Sequence, residues 1–320
     1  MRILMATDGS TNAEAALNVV LYRPWPAGTV VRVITVIEPL HDRINKIVGL
    51  FGLAKTAEEA QKRLQENCQN LVLRYSQALS TKFGADNVTA DVVEGRDREK
   101  ITNEAKSWKA DVIIMGAHGQ AESNEFLHGN VAEHVLSHAS CSVELIRFVS
   151  PSTAVTELNR AHPIEEDKYL IALDDSEQSM KTLDVVLSRN YPPNSFFKVI
   201  SVAEPLPFQA YSGLGPWEGA GSEEFADLVD KTIEAEKSVS EKVVASACEK
   251  LKAKFPDATV DGAVLEGYAR DRILAAAREW PADCLIVGSH GRRGITEFVL
   301  GSVSKAVAAH SPCSVLVIRN

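Results

Sequence analysis

Apolar residues fall in ten short runs along this chain, five in each half, separated by longer stretches in which apolar and polar positions recur with helical period. The runs are Ile3–Thr7, Val30–Ile37, Val88–Val93, Val112–Met115 and Val143–Ile146, then Tyr169–Leu173, Lys198–Val202, Thr259–Leu265, Cys284–Val287 and Val315–Ile318. They are β-branched and nearly continuous rather than alternating. That pattern predicts strands covered on both faces, hence α/β units in which helices flank a parallel sheet with right-handed crossovers. Long helices are predicted near Ala57–Lys82 and Glu223–Lys254. Shorter ones are signalled by Thr11-x-x-Glu14, a capping-box pattern, and by the polar-to-apolar change at Ser179.

The second half restates the first. Leu4 to Ser10 matches Leu170 to Ser176, and Val36 to Leu40 matches Val202 to Leu206, both at an offset of 166. Phe83, Gly95, Trp108, Gly116 and Cys141 meet Phe255, Gly267, Trp280, Gly288 and Cys313 at an offset of 172. Two constant offsets over such lengths define a tandem repeat. The six extra residues are expected after Leu206, where Tyr211 to Pro216 reads as loop, and turn formers and charge without apolar period mark a linker. The expected organisation is a first domain over 1–149, a linker over 150–167 and a second domain over 168–320.

At 320 residues, with 45% hydrophobic and 24% charged positions, the chain can bury two ordinary cores. A net charge of -9 argues against a nucleic-acid groove or a polybasic membrane surface. The opening Met1 to Met5 is too brief for a signal peptide or span, so a cytoplasmic location is expected. Five cysteines without a C-x-x-C pair suit a reducing compartment and read as structural thiols.

Candidate chemistry concentrates near the end of each half. In the second, Gly288 and Gly291 end the fourth strand, and nine residues later comes Gly301-Ser302-Val303-Ser304. Glycines there are expected to turn the backbone through positive φ and to let a ligand approach. Gly301 opens a helix, Ser302–His310, whose N–H groups attract anions, with hydroxyls on Ser302 and Ser304 and positive charge on Arg292, Arg293 and Lys305. Asp174 ends the first strand across the crevice, where its carboxylate can accept a hydrogen bond from an exocyclic amine. Its plainer reading is a turn or cap residue.

This G-x2-G-x9-G-S-x-S pattern resembles the signature of nucleotide-binding universal stress proteins, and the likeness spans nearly the whole chain. The resemblance implies two doubly wound five-stranded parallel sheets of order 3-2-1-4-5, similar to the adenine nucleotide alpha hydrolases, with ATP between strands 1 and 4. It implies that Asp174 and the backbone at Val202 hold the base, Val287, Gly288 and Gly291 the ribose and first phosphate, and Gly301, Ser302 and Ser304 the phosphate tail, beside Arg292 and with magnesium. It further implies modules that pair through their last strands, giving an intramolecular pseudo-dimer or a homodimer, and a regulatory protein partner.

The first half keeps the glycines, Gly116, Gly119 and Gly129, but offers Asn130 and Ala132 for the serines, Gln120 and Ala121 for the arginines, and Glu133 for Lys305. Weak or absent ATP binding is expected there, although Asp8 and Val36 can still shape a base pocket. His128, His134 and His138 fall short of a metal site, and no P-loop or nucleophile elbow is present. Two readings compete with the nucleotide-responsive regulator. One is an interaction scaffold using the apolar segments Ile44 to Leu53 and Phe208 to Trp217, and the other is a slow ATP hydrolase.

Overall fold

The computed structural model describes residues 1–38, 54–119, 129–148, 167–204, 223–291 and 300–319. The chain divides into two compact units, Met1–Pro163 with Arg319–Asn320, and Ile164–Ile318.

In the first unit β1 (Arg2–Ala6) leads to α1 (Thr11–Tyr22), β2 (Val30–Ile37), α2 (Ala54–Phe83), a 3-10 turn, β3 (Val88–Glu94), α3 (Asp97–Ser107), β4 (Val112–Gly116), α4 (Asn130–His138) and β5 (Ser142–Ile146). The second repeats the order with β6 (Lys168–Ala172), α5 (Glu177–Ser188), β7 (Phe196–Ala203), α6 (Glu223–Lys254), β8 (Thr259–Glu266), α7 (Ala269–Glu279), β9 (Cys284–Gly288), α8 (Ser302–His310) and β10 (Ser314–Ile318). Neighbouring strands within each unit are parallel. The order is β3-β2-β1-β4-β5 in the first unit and β8-β7-β6-β9-β10 in the second, so both have the expected 3-2-1-4-5 winding.

The repeat is visible in burial as well as in sequence. β2 and β7 carry the same alternation of buried and half-buried positions. α1 buries Ala13, Ala16, Leu17 and Val20, and α5 buries Ser179, Thr182, Leu183 and Val186, the same positions at the 166 offset. That i, i+3, i+4, i+7 stripe is what a surface helix needs to cover a sheet. Each unit closes its own core, around Ile3, Val33 and Tyr75 in the first and Tyr169, Phe197 and Ile286 in the second.

Helix starts differ from the sequence reading at both first helices. Ser10, not Thr11, caps α1, its hydroxyl accepting from the Ala13 N–H at 3.3 Å. Glu14 turns away to pair with Arg74. Likewise Ser176 caps α5, accepting from the Ser179 N–H at 3.2 Å, while Ser179 is buried inside the first turn. A serine directly after the strand-end turn outcompetes the capping-box threonine because its backbone is still extended, as a cap requires.

Among the described residues all five cysteines are free thiols, and Cys141, Cys284 and Cys313 are buried. No described helix is long and apolar enough to cross a membrane. Residues 150–166 of the expected linker and the apolar segments Ile44 to Leu53 and Phe208 to Trp217 lie outside the described residues.

Candidate functional site

Strand lengths create the crevice. β1 stops at Ala6, and the Thr7 N–H makes a last bond to the Ile34 carbonyl at 2.9 Å, while β2 runs on to Ile37. Val36, two residues beyond Ile34, turns its backbone edge to the same side, where β1 no longer covers it. In the second unit the Leu173 N–H bonds the Ile200 carbonyl at 2.9 Å, β6 stops at Ala172, and β7 carries Val202 past it. With β4 and β9 on the other flank of the first strands, each unit opens at its topological switch point.

The aspartates at these openings have two faces. Asp174 Oδ1 accepts from the Ser176 N–H at 3.1 Å, from the Ser179 hydroxyl at 2.6 Å and from the Ser176 hydroxyl. Asp8 Oδ1 accepts from the Ser10 N–H at 3.0 Å. One oxygen therefore builds the strand-to-helix turn, as the plainer reading held. The other looks into the crevice, because a Cβ added to Gly291 would lie 2.6 Å from Asp174 Oδ2, and one added to Gly119 would lie 2.9 Å from Asp8 Oδ2. Each turn thus holds its carboxylate in a fixed orientation.

The motif glycines do not use positive φ, contrary to expectation. Gly129 and Gly301 have φ of -59° and -60°, and no motif glycine is among the positive-φ residues. They are required for space. A Cβ on Gly288 would come 2.9 Å from Thr182 Oγ1, and one on Gly116 would come 2.8 Å from Asn12 Cβ, so these two let the first helix pack on the strand end. Gly119 and Gly291 instead keep the aspartate face of the crevice open.

α8 starts at Gly301 with no side-chain cap, its frame pinned by Gly301 N–H to the Ser289 carbonyl at 2.8 Å. Ser302 and Lys305 are exposed in the first turn. Ser304, expected at the phosphate tail, is buried and donates its hydroxyl to the Gly288 carbonyl at 2.7 Å, tying the helix to the strand end. Val287 faces the core, and Arg292 and Arg293 lie outside the described residues. α4 likewise begins at Gly129 without a side-chain cap, but Asn130, Ala132 and Glu133 occupy its first turn. Gln120, Ala121 and His128 lie outside the described residues.

A cavity of about 330 Å³ fills the first-unit crevice. Asp8, Val36, Gly116, Gly119 and Gly129 all line it, so the five expected residues of that half converge. It also takes in Asp97, which sequence reasoning missed. The signal was available, since the 172 offset sets Asp97 against Ala269 at the head of the corresponding helix. Asp97 is half-buried at the first position of α3, and its N–H approaches Glu38 Oε1 at 3.4 Å. The Ala269 N–H bonds Glu204 Oε1 at 2.6 Å in the same way.

His134 and His138 stack with ring centroids 4.0 Å apart. Burial, then the neighbouring His138 and Arg98, hold His134 below the ordinary histidine range. No group of three potential ligands forms a metal site among the described residues.

Each unit is thus a doubly wound α/β module whose strand ends and glycines shape a crevice, and the chain is a tandem pair of such modules. A model of the universal stress protein family matches residues 1–147 and 167–319, and the chain belongs to that family. A universal stress protein of Mycobacterium tuberculosis is 24% identical over 327 residues, covering 99% of this chain and 94% of that protein. One from Methanocaldococcus jannaschii is 28% identical over 155 residues, covering 46% of this chain and 94% of that protein. The crystal structure of a universal stress protein from Archaeoglobus fulgidus shares the tandem fold with a TM-score of 0.52 at 18% identity, covering 100% of this chain and 96% of that one.

Proposed function

We propose that the second unit binds ATP with its magnesium, and that the chain is a nucleotide-responsive regulatory or protective factor in the cytoplasm rather than an enzyme. What supports this reading is an oriented Asp174 carboxylate at the end of β6 together with, after the neighbouring β9, a helix whose N-terminus has no side-chain cap. The carboxylate and the Val202 edge suit an adenine, which offers an amine donor beside ring acceptors. The uncapped N–H groups of the first turn of α8, from Ser302 on, with the Ser302 hydroxyl, Lys305 and Arg292, suit phosphates. Val287, Gly288 and Gly291 would frame the ribose and first phosphate, and Ser304 would hold the α8 frame rather than meet phosphate directly. Magnesium would neutralise the triphosphate charge; the chain's part is to orient the base and receive the tail.

The test is thermal unfolding of the full chain with and without ATP and magnesium, beside a Gly291→Val/Ser302→Ala variant. At ~100-fold excess over Kd a native-state ligand contributes about 2.7 kcal/mol, a shift of several degrees. A shift in the parent that the variant lacks supports the reading, and no shift in a nucleotide-free preparation refutes it. Phosphate release that disappears in Asp174→Ala would instead make the protein an ATP hydrolase.

A further inference from the structure

The first-unit cavity keeps the base-facing half of the second-unit design and reverses the charge of the other half. Its floor is the same: Asp8 with one oxygen directed past Gly119, and the Val36 backbone edge beyond the end of β1. Its walls are apolar, from Ile101, Met115 and Val131. Its open end differs. Asp97 lines it where the second unit has Ala269, and Glu133, exposed in the first turn of α4 outside the lining, stands where the second unit has Lys305. Among the described residues no lysine or arginine lines the cavity, and His118 is its one imidazole.

We infer that this cavity is a second binding site, specific for an unphosphorylated nucleoside, with Asp97 as the residue that sets that specificity. A phosphate at the head of α4 would meet the Asp97 carboxylate in the cavity lining, and the negative charge of Glu133 in the helix's own first turn offsets what the N-terminus contributes. A ribose that ends in hydroxyls brings donors and no charge, and a carboxylate accepts from hydroxyl groups. The cavity volume of about 330 Å³ lies at the small end of ligand pockets, the end a base with its sugar occupies. The chain then carries two sites of one ancestry that read the same base and opposite tails.

The experiment is calorimetry on the full chain with the second crevice closed by Gly291→Val, which places a side chain against Asp174. Asp174→Ala, which removes the base-facing carboxylate of the second crevice, serves as a second background should Gly291→Val lower the thermal midpoint. Adenosine is expected to bind about tenfold or more tightly than AMP or ATP. Adding Asp97→Ala and Glu133→Lys is expected to abolish that preference. Equal or tighter binding of AMP or ATP by the closed chain, absence of adenosine binding in a folded chain, or a preference that survives the double exchange would each overturn the assignment. Because the second crevice is filled or stripped of its carboxylate in every arm, the result is distinguishable from whether that crevice takes ATP in the parent chain.

Discussion

The guanidinium of Arg23, just past the end of α1, holds both carboxylate oxygens of Glu144 in β5, at 2.7 and 2.9 Å, with both side chains buried. The second unit has Leu316 at the position of Glu144. Removing one side of a buried, hydrogen-bonded ion pair costs about 3–5 kcal/mol, whereas replacing both by apolar groups is near neutral. Glu144→Leu is therefore expected to lower the urea midpoint sharply and Arg23→Met/Glu144→Leu to recover most of it. A double variant no better than the single one would show that the pair does more than neutralise itself.

Two glycines separate stability from binding. In β8, a Cβ on Gly262 would lie 2.4 Å from Val244 Cγ1 and 2.8 Å from Cys248 Sγ, under α6. Overpacking of that kind costs about 1–3 kcal/mol, so Gly262→Ala should melt earlier and keep its nucleotide affinity. Gly291→Ala, on an exposed turn against Asp174, should do the reverse. Parallel melts and titrations of the two variants check this, and a common profile would contradict it.

The Lys305 position carries opposite charges in the two units. Lys305→Glu is expected to weaken ATP binding about tenfold without changing the melt of the free chain, because a surface charge in a first turn acts on the anion more than on the fold. Affinity unchanged at low salt would remove α8 from the phosphate site.

Burial pushes the Cys141 thiol up to about 12. The folded state therefore keeps its proton at pH values where the unfolded chain has lost it. Stability from this group is full below the unfolded value and is lost as pH rises through the folded one. Between pH ~9 and ~10.5 the parent should lose part of its advantage over Cys141→Ala, as read by chemical denaturation. A gap that stays constant with pH would place Cys141 in a more solvated setting.

Much of the fold was legible because the strands are continuous apolar runs: β2, from Val30 to Ile37, and α8, from Ser302 to His310, match their sequence readings end to end. Helix caps were less legible. Thr11 and Ser10 carry the same hydroxyl, and only the backbone geometry after Asp8 decides between them. At the candidate site the glycine spacing was readable, but its cause was not. Whether Gly291 serves φ or space depends on where Asp174 Oδ2 points, and Asp97 reaches the cavity only through the way α3 docks beside β2.

The overhang of β2 beyond β1 and of β7 beyond β6 bears on how a duplicated gene drifts. What it presents to a ligand is peptide backbone, and no point mutation at Val36 or Val202 deletes a peptide group. The surfaces that meet the rest of a ligand are side chains and change one codon at a time. On the proposed reading, copies of such a module are thus free to lose or invert their preference for what hangs from a base long before they forget the base itself.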